Sequence, residues 1–140
     1  MKVTRATSDE ERSDALSVRR TVFIDEQGVP EKLELDGRDD ESTQFAAYVD
    51  GAAVGAARLR EYEGAAKIER VAVLESHRGR GIGAELMEVV ESTAREEGYD
   101  RAVLHAQVPV VAFYRKLGYE VTSEEFMDAG IPHHEMEKPL

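Results

Sequence analysis

A glycine-rich turn flanked by arginine is the part of the sequence best suited to chemistry. Three glycines alternate with other residues between Arg78 and Ala84, shortly after a predicted strand that ends at Val73. Helical periodicity begins at Ile82, so we expect the turn to lie at a helix N-terminus. Glycine lets the backbone approach a ligand, and the first helical turn leaves N–H groups unpaired beside the positive end of the dipole. The turn therefore predicts an anion site.

The spacing of this turn argues against two common phosphate-binding loops. A Walker loop ends in Gly-Lys-Ser/Thr, which the segment from Arg78 to Ala84 lacks. A dinucleotide-binding fold carries Gly-x-Gly-x-x-Gly near the start of a parallel sheet, and the spacing here differs. A glycine turn that only starts a helix is the structural alternative, and a nucleotide-binding protein is the remaining functional one.

Composition sets further bounds on function. The chain has 29 acidic and 18 basic residues, a net charge of −11, so we expect neither nucleic acid nor a membrane as partner. It has no cysteine, which excludes a thiolate nucleophile and sulfur-ligated zinc. Arginine outnumbers lysine, which suggests adaptation to high salt or simply an acidic protein. No secretory signal or membrane-length apolar run is evident, so we expect a cytoplasmic location.

The elements that must position the turn follow from periodicity and turn signals. A first strand is followed by a helix that Ser8 and Glu11 begin with a capping box, and the polar segment from Gly28 to Thr43 is a loop or a broken helix. Asp50–Gly51 and Glu63–Gly64 predict tight turns in an antiparallel meander. The predicted strands of this half are Lys2–Ala6, Gln44–Val49, Ala53–Arg60 and Ala65–Val73.

After Val73 the apolar period changes from 2 to 3.6, which predicts a helix that Gly98 ends. The elements predicted beyond it are the strand Arg101–Gln107, a short helix at Pro109–Leu117, and last strands at Tyr119–Ser123 and His133–Lys138. The order predicts an α/β (α+β) fold: one domain over residues 1–140, with a mixed, largely antiparallel central sheet and helices on both faces.

The order and spacing of two motifs carry a family resemblance. The segment 71–84 has the pattern Val-Ala-Val, then Arg-x-x-Gly-x-Gly, and resembles the pyrophosphate-binding signature of the GNAT superfamily of N-acetyltransferases. The segment 113–119, Phe-Tyr-Arg-Lys-Leu-Gly-Tyr, resembles the short helix that follows in that family. The segments 18–30 and 129–136 resemble a branch of mostly uncharacterised acetyltransferases, so nearly the whole chain takes part.

The resemblance implies acetyl-CoA as co-substrate, no metal, and direct transfer of acetyl to a primary amine in a ternary complex. It implies that Tyr114 protonates the departing thiolate, although an aromatic packing residue is the alternative. Gln107 stands where the family often has asparagine. The implied cofactor-binding positions are Val71, Ala72, Val73, Arg78, Gly79, Arg80, Gly81, Ile82, Gly83, Ala84, Gln107 and Tyr114.

The general base that would deprotonate the amine is less well defined. Glu69 is the first candidate, because some family members carry a catalytic glutamate on this strand; a strand residue paired with a neighbour is the alternative. Glu26 is the second candidate, or an ordinary charge at a helix end. His105 is more often a core residue than a catalyst in such a position. His133 and His134 are adjacent on a strand, so at most one can face a pocket.

Three functions remain open at this stage. The acceptor could be a small amine or an amino sugar, or it could be a protein or peptide amine, and the chain could also be a sensor that binds acetyl-CoA without catalysis. Relatives often pair through C-terminal strands, so a homodimer is possible. A cationic acceptor is suggested by the acidic residues Glu26, Glu34, Asp36, Asp39 and Asp40.

Overall fold

The computed structural model describes residues 1–140. The eight strands are β1 Lys2–Arg5, β2 Thr43–Val49, β3 Ala52–Tyr62, β4 Ala65–Val73, β5 Arg101–Gln107, β6 Glu120–Val121, β7 Phe126–Asp128 and β8 Ile131–Pro139. The four α-helices are α1 Asp9–Arg19, α2 Glu31–Glu34, α3 Ile82–Glu96 and α4 Val111–Lys116. The first helix continues as a π-helical segment, Arg20–Glu26.

The strands form one sheet in the order β1-β2-β3-β4-β5-β8-β6, with β7 paired to β8. Every pairing is antiparallel except that of β4 with β5, which α3 connects by a crossover. The predicted mixed, largely antiparallel sheet is therefore confirmed. The parallel pair at its centre places the end of β4, the glycine turn and the start of α3 side by side.

The helices cover both faces of the sheet, as expected. On β2, Phe45 and Ala47 join the core that contains Leu86 of α3. Ala46, between them, joins a second core with Val18 of α1. This alternation follows from the period of two in a strand, which sends successive side chains to opposite faces. The sheet thus has an α3 face and an α1 face.

Local signals in the sequence correspond well to the structure. Ser8 accepts a hydrogen bond from the Glu11 backbone at 3.1 Å, and the Glu11 carboxylate accepts one from the Ser8 N–H at 3.2 Å, which is the predicted capping box. The residues of the turns Asp50–Gly51 and Glu63–Gly64 all have positive φ, as type I′ hairpins require. None of the helices combines the length and apolar character that crossing a membrane would require.

Several boundaries near the C-terminus differ from the prediction. The sixth strand has only two residues, α4 begins at Val111, and the last strand begins at Ile131, two residues before the predicted start. Strand β7 was not predicted. Its turn to β8 is Ala129–Gly130, with φ of 53° and 76°. Asn-Gly or Asp-Gly is the usual signal for such a turn, and alanine is uncommon in this conformation. The sequence therefore gives no clear sign of this hairpin.

Candidate active site

Strands β4 and β5 separate halfway along their length. Their ladder has three pairs and ends at Ile68↔Leu104. Beyond this point the two strands no longer pair with each other, and both line a cavity of about 900 Å³. The backbone of Val71–Val73 has β3 on one side and the cavity on the other. Its polar groups on the cavity side can therefore bond a ligand in place of a strand.

A β-bulge deforms β4 at the point of separation. Between the pairs Ala56↔Ala72 and Arg58↔Glu69, β4 has two residues and β3 has one. One of the two is Arg70, whose φ is 57°. This left-handed conformation costs a non-glycine residue about 1 kcal/mol, and such strain concentrates at functional sites. The bulge turns the end of β4 away from β5 and so helps to open the cavity.

The glycine turn lies at one end of the cavity. Gly79 and Gly81 have φ of 77° and 81°, in the left-handed region. Gly81 immediately precedes α3, and no side chain caps this helix, so its first N–H groups are open to a ligand. A Cβ on Gly83 would lie 3.2 Å from Cζ of Phe113, so glycine here lets α3 pack closely on α4.

Most of the predicted cofactor-binding positions lie in the cavity wall. Arg80 is the exception, because it is exposed and lies outside the wall. The positions that the structure brings together are Val71, Ala72, Val73, Arg78, Gly79, Gly81, Ile82, Gly83, Ala84, Gln107 and Tyr114. The two motifs, which are about thirty residues apart in sequence, thus line one continuous space.

Tyr114 reaches the cavity from the α3 face. Its ring packs edge-on against Phe113 and Tyr119, with centroids 5.0 and 5.9 Å away. Burial raises the pKa of the Tyr114 phenol well above its usual range. The hydroxyl therefore keeps its proton at neutral pH and can donate a hydrogen bond to a negative charge formed beside it.

Glu69 lines the cavity but is held by three cations. Arg60 Nε donates to its carboxylate at 2.6 Å and Arg58 at 3.0 Å, and Lys67 Nζ lies 3.4 Å away. Burial alone would raise its pKa, but the Arg60 hydrogen bond and the charges of Arg58 and Lys67 lower the pKa of Glu69 to about 2. Such a carboxylate is a weak base, which counts against the prediction of Glu69 as general base.

Glu26 is likewise engaged by an arginine. Both terminal nitrogens of Arg78 donate to its carboxylate, each at 2.8 Å, and Arg78 Nε donates to the Val73 carbonyl at 2.9 Å. The hydrogen bond from Arg78 lowers the pKa of Glu26. The pair ties the end of the first helix to the glycine turn across the cavity. A carboxylate with a lowered pKa is a weaker base, which counts against Glu26 as the general base. The sequence gives no signal for this contact.

A buried ion network lies behind the cavity wall next to α1 and contributes Glu34 and Glu69 to that wall. Arg19 Nε donates to Glu34 at 2.7 Å and Arg19 also reaches Asp39 at 2.8 Å. Arg58 donates to Asp36 and to Asp39, at 2.8 and 3.0 Å. Both arginines are fully buried. Four of the five acidic residues that the sequence suggested as attractants for a cationic acceptor, Glu26, Glu34, Asp36 and Asp39, are therefore paired with arginine, and Asp40 is exposed.

Histidines and amides complete the wall. As strand alternation predicts, His133 lines the cavity, whereas His134 does not. His105 also lines it, with Nε2 3.3 Å from the Glu135 carboxylate. The Gln107 amide donates to Gln27 at 2.8 Å and so links β5 to the end of the first helix. No three His, Asp or Glu side chains are grouped as metal ligands would be.

A mixed sheet that opens beside a glycine turn is the architecture of an acetyltransferase. The chain matches the Acetyltransferase (GNAT) domain over residues 4–140 and belongs to this family. It is 44% identical to the uncharacterised N-acetyltransferase YjcF of Bacillus subtilis, over 99% of each chain. An acyl-CoA N-acyltransferase from Pseudomonas aeruginosa superposes with a TM-score of 0.87 at 28% identity, over 99% of each chain. Escherichia coli ElaA also has a TM-score of 0.87, at 25% identity over 98% of each chain.

Proposed function

We propose that this protein transfers an acetyl group from acetyl-CoA to a primary amine, directly and within a ternary complex. The observation that carries the proposal is the continuity of the cavity, which the glycine turn, the β4 backbone and Tyr114 all line. The similar Pseudomonas aeruginosa protein is named an acyl-CoA N-acyltransferase. Membership of an acetyltransferase family supports the same reaction.

The cavity has the groups that acetyl-CoA requires. The N–H groups at the start of α3 and the Arg78 guanidinium hold the diphosphate, because both supply positive potential in an acidic protein. The backbone of Val71–Val73 pairs with the amide-bearing arm, and one N–H of this segment polarises the thioester carbonyl. Gln107 orients the arm from the β5 side. Arg80 acts only through its backbone and its charge near the turn.

Acetyl-CoA supplies an activated thioester carbonyl. The amine nitrogen attacks this carbon, the C–N bond forms and the C–S bond breaks, and no acyl-enzyme is needed in a chain without cysteine. Tyr114 gives its phenolic proton to the thiolate and regains one from solvent. Burial keeps Tyr114 protonated throughout the neutral range, so the hydroxyl carries the proton that this role needs.

The two predicted carboxylate bases are better suited to positioning. Glu69 balances the cations at the bulge, and Glu26 holds Arg78 beside the turn. The acceptor class is open between a small amine and a peptide amine. Cytoplasmic location, adaptation to high salt and homodimer formation stay predictions.

The test is release of free thiol from acetyl-CoA across a panel of small and peptide amines. Turnover with at least one amine, reduced about 100-fold or more in Tyr114→Phe, is expected. Tight CoA binding without turnover on any amine would support a sensor instead. Thermal stabilisation by ATP but not by CoA would contradict the donor site itself and favour a nucleotide-binding protein.

A further inference from the structure

The two faces of the sheet divide the groups around the cavity. Ala106 and Leu104 of β5 belong to the core under α3, as does Tyr114. His105 and Gln107 alternate with them and therefore project from the α1 face. The proton for the leaving thiolate thus comes from the α3 face. The opening between β4 and β5 connects the α3 face with the α1 face.

His105 occupies the point where the strands part. It is the first residue of β5 after Leu104, the last to pair with β4. The residue at the matching place on β4 is Glu69, which three cations already hold. The His105 side chain lines the cavity and remains 23% exposed. It is therefore buried enough to be held in place and open enough to contact an acceptor.

The hydrogen bond to Glu135 defines the tautomer of His105. A carboxylate only accepts, so Nε2 must donate to it, at 3.3 Å. This leaves the lone pair of the neutral ring on Nδ1. The Phe126 ring packs edge-on against the imidazole, with centroids 5.0 Å apart, and limits its rotation. A neutral histidine held in this way has the form of a general base whose acceptor atom is fixed.

We propose that His105 is the general base of the transfer and that Glu135 is its positioning residue. Nδ1 of His105 takes the proton that the amine nitrogen loses as the C–N bond forms and the C–S bond breaks. Tyr114 supplies the proton that the thiolate gains. His105 then passes its proton to solvent. The inference rests on the proposed function and adds the group that activates the acceptor.

The other cavity histidine is less suitable. His133 Nδ1 is bonded to the Ile131 carbonyl at 2.6 Å, and its ring stacks on Phe126. Its side chain is nearly closed off, with 8% of the residue exposed. It also lies on β8, one strand further from β4 than His105.

The surroundings of His105 define the pH dependence. Burial and the Lys67 charge lower the pKa of His105 below its usual 6.5, and the hydrogen bond and charge of Glu135 and the charge of Asp128 oppose this. The ring is therefore neutral at pH 7, and activity should fall as the pH drops through this lowered pKa. The ionisable groups facing it from the neighbouring strands are Lys67, Glu69, Asp128, His133 and Glu135.

The first test is the pH profile of kcat/KM with the best amine of the panel. His105→Gln should lower kcat/KM about 100-fold at pH 7 and remove the acid limb. His134→Gln is the matched control, because His134 lies outside the cavity wall, and both rate and limb should be unchanged. An acid limb retained in His105→Gln, or lost in His133→Gln instead, overturns the assignment.

A second pair of variants keeps the test valid if His105→Gln does not fold. Glu135→Gln removes a charge that raises the pKa of His105, so the limb should move to lower pH. Lys67→Met removes a charge that lowers it, so the limb should move to higher pH. NMR titration of the imidazole should show the same two shifts without turnover. Limbs that do not move overturn this inference alone, whereas a wild-type protein with no turnover on any amine overturns the proposed function as well.

Discussion

The two ends of the cavity are built in different ways. At the donor end, the segment 78–84 presents backbone N–H groups within a few consecutive residues, and glycine supplies the conformation. Behind the α1 wall, side chains from distant segments are bonded together: Arg19 to Glu34, and Arg58 to Asp36 and Glu69. One end depends on local backbone geometry and the other on long-range ion pairs.

This difference has consequences for stability. A backbone anion site loses little when it is empty, because water can bond its exposed N–H groups. A buried ion network has no such alternative, since each charge was taken from water and depends on its partners. We therefore expect substitutions at the α1 wall to affect folding most, and substitutions at the donor end to affect ligand binding most.

We expect Arg58→Met to have the largest effect on stability. This guanidinium is fully buried and donates to Asp36, Asp39 and Glu69, so its removal leaves three carboxylates without a partner they need. The free energy of unfolding should fall by about 3–5 kcal/mol in urea titrations.

The matched control is Arg38→Met, which breaks an exposed pair with Glu41 whose side chains are 50% and 59% exposed. Such pairs contribute less than about 1 kcal/mol. Equal losses for Arg58→Met and Arg38→Met would contradict the view that burial makes the network important for folding.

The second prediction concerns Glu69→Gln and pH. The pKa of Glu69 is about 2 in the folded protein and near 4.5 when unperturbed. A depressed pKa gives stability that is fully present above pH 4.5 and is lost as the pH falls toward 2. The free energy of unfolding of the wild type should therefore exceed that of Glu69→Gln by about 3 kcal/mol at pH 7. Urea titrations should show this difference narrowing below pH 4.5; a difference that is constant from pH 7 to 3 would contradict it.

A third substitution, Gly81→Ala, tests the donor end. Its φ of 81° strains any L side chain, so unfolding should be easier by about 1 kcal/mol. Gly51→Ala is the control, because it has the same φ, 80°, in a hairpin remote from the cavity, and neither site has atoms that would crowd a Cβ. Calorimetric titration should show CoA binding weakened about tenfold, or ~1.4 kcal/mol, only in Gly81→Ala. Equal CoA affinity in the two variants would show that the turn does not hold the diphosphate.

The same contrast explains what the sequence could predict. The capping box at Ser8, the hairpin turns and the strand Arg101–Gln107 depend on neighbouring residues, and the structure has them where expected. The glycine turn belongs to this local class. The bulge at Arg70 and the pairing of Glu26 with Arg78 do not. The residues of that pair are 52 positions apart, so only the folded sheet brings them together.

The smallest expected effect, on Glu26→Gln, bears on both ends at once. The side chains of Glu26 and Arg78 are 34% and 41% exposed. Loss of this ion pair should therefore change the free energy of unfolding by less than about 1 kcal/mol. If Arg78 binds the diphosphate, Glu26 competes for the same guanidinium, and its removal should tighten CoA binding about threefold, or ~0.6 kcal/mol. The gain should shrink as salt rises, because exposed charges are screened.

A role for Glu26 as general base predicts a different result for Glu26→Gln. The affinity for CoA would be unchanged and kcat would fall about 100-fold. Calorimetry and a single kcat measurement therefore separate the two roles. Tighter CoA binding with kcat preserved would place Glu26 with the donor end. The diphosphate would then replace Glu26 as the partner of Arg78, an exchange that a partly exposed ion pair allows at little cost.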